Sequence, residues 1–306
     1  MNSIEILASG KYLPSAKIEN DVLNKKFNLP EEWIETRCGI KTRYYTKEDI
    51  TQMAIKAVEN LQTKIDMKRI GVIVVTSTST DKLMPGISFE IQKYLQIPNC
   101  ICLDVLAGCS GYINAFDIAR KYLCLDNIDY GLVIGVERLS TLTKENDINT
   151  AILLGDGAAA TLIGKTSTPK KYSCNIESDG QNGGILTCSI KEKIYMDGKK
   201  IYKFGTTKPV ENVKKLLRQS NEKIDNIKYI IPHQSNIKML QSMCNKLEIP
   251  ISKMYINLDK VGNTFCASIP LALHEMMENK LLQKQDKIIL LGYGGGLNLG
   301  SILLEI

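Results

Sequence analysis

The sequence predicts an α/β protein in which one helix-flanked sheet unit occurs twice. Two apolar runs rich in β-branched residues carry the first part of this prediction, Arg69-Ile70-Gly71-Val72-Ile73-Val74-Val75-Thr76 and Asn226-Ile227-Lys228-Tyr229-Ile230-Ile231-Pro232-His233. The first is almost uninterrupted, as is typical of a strand covered on both faces. Matched spacings carry the second part. From Thr76 to Cys109 and from His233 to Cys266 there are 33 positions; from Cys109 to Gly135 and from Cys266 to Gly292 there are 26. Each apolar run also follows the same lead-in, Lys64-Ile65-Asp66 in one case and Lys223-Ile224-Asp225 in the other. The expected halves are residues 1–165 and 166–306. Two such units stack by sharing a layer of helices, an αβαβα arrangement.

In chain order, Ile4 to Leu7 reads as a short strand, followed by Gly10 and Pro14 as loop punctuation. Glu31-Glu32-Trp33-Ile34 opens a short helix that ends at Arg37-Cys38-Gly39, and residues 52–61 form an amphipathic helix. The strand ending at Thr76 is followed by a helix over 89–95 and a strand over 101–105. A helix begins just after Cys109, with Ile113, Phe116 and Leu123 at helical spacing on a buried face. Strands over 130–136 and 158–163 follow, separated by a loop and the turn Leu154-Gly155-Asp156-Gly157. The second half is expected to repeat the order helix, strand, helix, strand, turn, helix, strand, strand.

Composition narrows the function classes. A chain of 306 residues with 44% apolar and 24% charged residues has the make-up of a soluble enzyme. The net charge of +6 comes from scattered lysines without an aromatic-interleaved basic stripe. That argues against nucleic acid and suits an acidic protein or a phosphorylated ligand. Nine cysteines show no metal-ligand spacing, and Cys100 with Cys102 suits neither a CxxC redox pair nor a zinc knuckle. Met1 to Glu5 lacks a signal-peptide pattern, and the chain has no long uncharged apolar run. The expectation is a reduced, cytoplasmic protein without membrane insertion.

The chemistry is concentrated at segment ends. Cys109 sits in Asp104-Val105-Leu106-Ala107-Gly108-Cys109-Ser110-Gly111, where a strand gives way to a helix. Gly108 and Gly111 leave room for a tight turn and a ligand. A cysteine at a helix N-terminus is at the positive end of the dipole, which favours the nucleophilic thiolate. A small buried cysteine filling a corner fits the same residues. His233, one of two histidines, closes the second apolar run, whereas His274 lies inside a helical pattern with a structural reading. Asn263, in Val261-Gly262-Asn263-Thr264, suits a turn or helix cap, or an amide donor to a carbonyl. The glycine run Gly292-Tyr293-Gly294-Gly295-Gly296 can make a sharp turn or offer bare N–H groups to an oxyanion.

Taken together and in this order, these segments resemble the β-ketoacyl-acyl carrier protein synthase III family of thiolase-like condensing enzymes. The likeness spans the chain, from Trp33, Arg37 and Gly39-Ile40 through the Cys109 segment and Gly155-Asp156-Gly157-Ala158. It continues through Pro232-His233-Gln234, Gly262-Asn263-Thr264 with Ala267-Ser268, and Gly294-Gly295-Gly296. The resemblance implies the thiolase-like fold and a catalytic set of Cys109, His233 and Asn263. It implies that Cys109 takes an acyl group from acyl-coenzyme A, with the N–H groups of Cys109 and Gly295 as oxyanion hole. Malonyl-acyl carrier protein would then lose carbon dioxide on His233 and Asn263, and its enolate would attack the acyl-cysteine. Trp33 and Arg37 match coenzyme A contacts; Lys203 and Lys238 match positions that dock the acyl carrier protein. The resemblance further implies a homodimer, with Met84 reaching the partner's acyl tunnel, and neither a metal nor a permanently bound cofactor.

Two departures stand out. Ile148 occupies the place of an arginine that completes the family's adenine sandwich, and the 184–195 stretch is shorter than usual. Carrier-protein-bound acyl donors, as in a specialised or polyketide pathway, are therefore an alternative. Acyl transfer to an alcohol or amine and a non-catalytic partner subunit are further alternatives. Asn263 weighs against simple transfer, and the intact cysteine, histidine and asparagine weigh against a non-catalytic subunit.

Overall fold

A computed structural model of the chain describes residues 3–125, 127–144, 146–189 and 192–306. Its first large sheet uses β1 (Ser3–Tyr12), β2 (Ile70–Thr76), β3 (Ile101–Val105), β4 (Tyr130–Arg138) and β5 (Asp156–Thr166) in the order β1-β5-β4-β2-β3. The second uses β6 (Tyr172–Ser178), β7 (Tyr229–Pro232), β8 (Lys287–Gly294) and β9 (Asn298–Glu305) in the order β7-β8-β9-β6. Strand β2 runs parallel to β3 and β4, and β7 runs parallel to β8, so crossover helices are required. The strand positions of one sheet thus recur in the other, β1 matching β6, β5 matching β9, β4 matching β8 and β2 matching β7.

One member of the expected repeat is reduced. Where the first sheet has β3, the second has only a single bridge, Ile230 to Met254. Pro250 and the short turn Ile251–Lys253 precede it, and proline cannot donate to a ladder. Strand β1 exceeds its expected length because Ser9, Gly10 and Lys11, polar or small, still pair with Thr161, Ala160 and Ala159. Asp156, expected in a turn, already belongs to β5.

Helices α1 (Trp33–Cys38), α2 (Ile50–Glu59), α3 (Gly111–Tyr122), α4 (Gly198–Gln219), α5 (Ile237–Leu247) and α6 (Ser268–Glu278) complete the layers. The core between the sheets joins Ile113 and Phe116 of α3 and Ile269 and Leu273 of α6 to Val72, Val133, Ile231 and Leu290 of both sheets. Each such buried aliphatic or aromatic side chain contributes about 1.5–3 kcal/mol. Helix α2 covers the outer face of the first sheet, and α4 with α5 covers that of the second. The result is a five-layer αβαβα sandwich in which α3 and α6 form the middle. Both inner helices start at the carboxyl ends of strands, where ligands gather in such folds.

Two polar devices fix elements that reach the site. Arg43 is fully buried, and its guanidinium donates to Asn20 Oδ1 (2.9 Å) and to the Ile152 carbonyl (2.8 Å). It thereby ties the segment before β2, which carries α1, to residues 148–154. Glu222, almost wholly covered, accepts from Lys171 and Lys287 at 2.6 Å each and from Asn226 at 3.0 Å. It joins the starts of β6 and β8. The bonds from Lys171 and Lys287 hold its carboxyl down at about 2. A carboxylate depressed in the folded state stabilises above its unfolded pKa, near 4.3, and loses that effect as pH falls through the folded value. In urea titrations, Glu222→Gln should therefore be less stable than wild type by a constant margin from pH 8 to 5. The margin should shrink between about pH 4 and pH 2 and vanish below; a margin that persists unchanged at pH 2 would show that packing, not charge, is at stake.

Candidate active site

Cys109 lies in the turn Gly108–Ser110 that runs directly into α3, and only 3% of it is exposed. Two close approaches shape this corner. A Cβ on Gly111 would lie 2.0 Å from Thr76 Oγ1, so only glycine lets α3 start against the end of β2. A Cβ on Gly294 would lie 2.6 Å from Cys109 Cβ and 2.7 Å from its Sγ. The glycine turn after β8 is therefore pressed against the cysteine, and the Gly295 N–H faces the sulfur together with the N–H of Cys109 itself.

His233 follows β7, its backbone N–H bonded to the Leu291 carbonyl at 2.7 Å. Its ring is buried against Tyr293 in an edge arrangement, with centroids 5.4 Å apart. Nδ1 lies 2.8 Å from Ser268 Oγ, at the first residue of α6. Tyr293 in turn shares a 2.7 Å hydrogen bond with Ser235.

Asn263 is held by its backbone and by its side chain. Its N–H donates to the Leu153 carbonyl (2.8 Å), and its carbonyl accepts from Gly155 (3.0 Å). The Asn263 Oδ1 accepts from the Phe265 N–H at 3.0 Å, which is the turn role expected of asparagine. That bond also assigns the amide, leaving Nδ2 as the end free to donate. Phe265 takes φ of +43°, a left-handed conformation costly for an aromatic residue.

These three side chains share one cavity of about 730 Å³. Its floor includes Cys109, His233, Asn263, Phe265 and Gly294, and its mouth reaches Arg37, Lys199 and Lys238. Trp33 and Lys203 do not line it. Trp33 stands beside the mouth with the Arg37 guanidinium 4.8 Å from its ring centroid, and Lys203 is exposed on α4. Ile148 packs with Trp33 against the apolar core under α4 and α5. Positions 190 and 191 of the 184–195 stretch lie outside the described residues. A second cavity of about 350 Å³ opens on the far side of Cys109, lined by Leu106, Leu186, Ile194, Phe265 and Leu297 among others. Met84, expected to reach a partner, is 86% exposed. His274 hydrogen-bonds to Ser9 Oγ at 3.0 Å, away from the site.

The electrostatics differ from the sequence expectation in one respect. Burial, and after it the Glu137 carboxylate, push the Cys109 thiol up to about 12, against the Gly295 and Cys109 N–H groups. At rest Cys109 is therefore a thiol, not the thiolate that a helix terminus alone favours. Burial lowers His233 to about 3, while the Phe265 carbonyl pulls the other way, so the ring is neutral at physiological pH. The contacts that Ser268 and Tyr293 make with His233 join segments far apart in the chain, so the sequence alone assigns neither of them a place beside the ring.

The stacked duplicated sheets and the cysteine at the inner-helix terminus define a thiolase-like condensing enzyme. Family comparisons agree. Residues 103–180 match the family described as 3-oxoacyl-[acyl-carrier-protein] synthase III, and residues 217–306 match its C-terminal counterpart. A β-ketoacyl-[acyl-carrier-protein] synthase III of Clostridium kluyveri is 35% identical over 322 aligned positions, covering 100% of both chains. One from Clostridium botulinum (strain Loch Maree) is 36% identical over 98% of both. The crystal structure of 3-oxoacyl-[acyl-carrier-protein] synthase III from Aquifex aeolicus superposes with a TM-score of 0.96 at 30% identity, covering 99% of this chain and 100% of that one. The priming β-ketosynthase of the R1128 polyketide pathway gives 0.93 at 25% identity, with 99% and 96% covered. The chain belongs to the 3-oxoacyl-[acyl-carrier-protein] synthase III family.

The thiol's elevation has a direct readout. Iodoacetamide labelling of Cys109, followed at the peptide level by mass spectrometry, should accelerate with each pH step from 6 to 9 without levelling. A plateau below pH 8 would mean that the helix terminus and the two N–H groups outweigh burial.

Proposed function

We propose that the chain catalyses a decarboxylating condensation of an acyl thioester with malonyl-acyl carrier protein, through an acyl-cysteine on Cys109, to give a 3-oxoacyl-acyl carrier protein. The observation that carries this reading is the convergence of Cys109, His233 and Asn263 on one cavity open at a basic mouth. Acyl-coenzyme A is the proposed donor, with Trp33 and Arg37 at its nucleotide end. Lys203 and Lys238 are proposed to meet the acidic carrier protein. The role fits fatty-acid biosynthesis in the cytoplasm; among the described residues no helix is long and apolar enough to cross a membrane.

In the acylation step the Cys109 thiol gives its proton to neutral His233 as the sulfur attacks the thioester carbonyl. The N–H groups of Cys109 and Gly295 receive the oxyanion, a contribution of roughly 2.7–4 kcal/mol per donor in comparable sites. The C–S bond to the departing thiol breaks, and that thiol takes the proton. The malonyl thioester then enters. Its carbonyl oxygen accepts from Asn263 Nδ2 and from His233 as the bond to carbon dioxide breaks. The resulting enolate carbon attacks the acyl carbon, and Cys109 leaves as thiolate and regains a proton. No step calls for a metal or a resident cofactor.

Two further assignments belong to this reading. Residues 1–165 supply the nucleophile, and residues 166–306 supply the histidine and asparagine. A homodimer is proposed, supported by the exposure of Leu83, Met84, Phe89 and Leu106 around the edge strand β3.

Mixing the protein with a panel of acyl-coenzyme A and acyl-carrier-protein thioesters should add one acyl mass to the intact chain, and Cys109→Ala should abolish the gain. Labelling by acyl-carrier proteins alone would reassign the donor and point to Ile148; labelling by neither would overturn the acyl-cysteine. With the acyl-enzyme in hand, His233→Ala or Asn263→Ala should slow decarboxylation of malonyl-carrier protein by about 10²–10³-fold. An unchanged decarboxylation rate in either variant would remove that residue from the step.

A further inference from the structure

We propose that Ser268 is a positioning residue whose hydroxyl selects, and between the two half-reactions resets, the ring nitrogen of His233 that carries the proton. The inference rests on the function proposed above. Ser268 is fully buried and its Oγ has three neighbours: His233 Nδ1 at 2.8 Å, the Phe265 carbonyl at 2.7 Å and the Gln234 N–H at 3.3 Å. A serine hydroxyl has one hydrogen and two lone pairs. The Gln234 N–H uses one lone pair. If the hydrogen points to the Phe265 carbonyl, the ring must donate from Nδ1–H, and Nε2 is a bare acceptor. If the hydrogen turns to Nδ1, the proton of the neutral ring sits on Nε2, which becomes a donor. One rotation about Cβ–Oγ, with exchange of one ring proton for a solvent proton, separates the two states.

The first state is favoured at rest, because the Phe265 carbonyl, which also accepts from the Ser268 backbone N–H, then keeps the hydroxyl as a second donor. That first state is the one acylation needs. The Cys109 proton moves to the Nε2 lone pair, the new C–S bond forms, the old one breaks, and the departing thiolate removes the proton from Nε2. Condensation needs the second state. There Nε2–H donates to the enolate oxygen while the electrons of the broken C–CO₂ bond form the enolate, then the new C–C bond. The Cys109 thiolate released by that bond takes its proton from solvent. Asn263 offers no such choice, since the Phe265 N–H holds its Oδ1 and fixes the amide as a donor. Phe265, in its strained conformation, therefore supplies both references: its N–H locks Asn263 and its carbonyl biases Ser268.

The chain has only two histidines, so ¹⁵N-histidine NMR of the full-length protein reads the tautomer directly, with His274 as internal reference. Wild type at pH 7 should show His233 protonated on Nδ1 and bare on Nε2. In Ser268→Ala the hydroxyl that could donate to Nδ1 is gone, so acyl-cysteine formation should persist while malonyl decarboxylation falls about 10–100-fold, the loss of one hydrogen bond supporting a charged group. Ser268→Thr, which keeps the hydroxyl, should recover most of that loss. A resting wild-type ring protonated on Nε2, or equal losses in both half-reactions of Ser268→Ala, would overturn the proposal. Should Ser268→Ala fail to fold, the wild-type tautomer still decides. A wild type that forms no acyl-cysteine would instead defeat the underlying function, whatever its tautomer.

Discussion

The reactive centre depends on how closely two strand-to-helix corners can approach each other. The corner at Cys109 and the corner at Cys266 meet in the middle layer, and glycine makes the contact possible. A Cβ on Gly111 would touch Thr76 and stand 3.4 Å from Cys266 Cβ, and one on Gly135 would lie 2.8 Å from the Cys266 carbonyl. Interiors are packed to crystal-like density, so a single added methyl at such a contact has to move backbone. The consequence for chemistry is geometric. Cys109 comes from the first sheet's helix, His233 and Asn263 from the second unit, and only tight stacking brings them to one cavity floor.

That tightness also sets the electrostatics. Burial of Cys109 and His233 holds the thiol protonated and the imidazole neutral. A neutral pair suits the proposed reaction, which first moves a proton off sulfur and later shields a carbanion from protonation. A strongly cationic histidine beside the enolate would quench it. The charges lie elsewhere: Arg37, Lys199 and Lys238 stand at the mouth, where an anionic thioester carrier would first be met.

Much of this was legible in the sequence, for physical reasons. Apolar runs and matched spacings report strands and a duplicated core, because burial on both faces leaves few residue choices. The helix face of Ile113, Phe116 and Leu123 is fully buried, as its periodicity indicates. What stayed hidden depends on long-range contacts. Ser268 looks like any helix-opening serine until the fold sets it 2.8 Å from a ring 35 residues away in sequence. The thiol's state is hidden for a similar reason. A helix N-terminus is visible in sequence, whereas the burial and the Glu137 carboxylate that oppose it are not. The strand expected near Met254 shrinks to one bridge behind Pro250, a local feature that matched spacings do not register.

The two pseudo-equivalent cysteines show how a duplicated scaffold yields one site. Both occupy the same corner, and both are buried. The Cys266 thiol lies 3.2 Å from the Thr76 carbonyl and 3.1 Å from Glu137 Oε1, two acceptors for its single proton. Burial, with Glu137, raises its pKa well above the usual thiol value. Cys109 faces donors instead, the N–H groups of Gly295 and of its own residue. Donors stabilise negative charge on sulfur as it develops, even where burial keeps the resting group neutral. The two cysteines therefore differ not in depth or position but in whether acceptors or donors point at the sulfur. In this chain that choice is made by the glycine turn after β8, for which the Cys266 corner has no counterpart among the partners of its thiol.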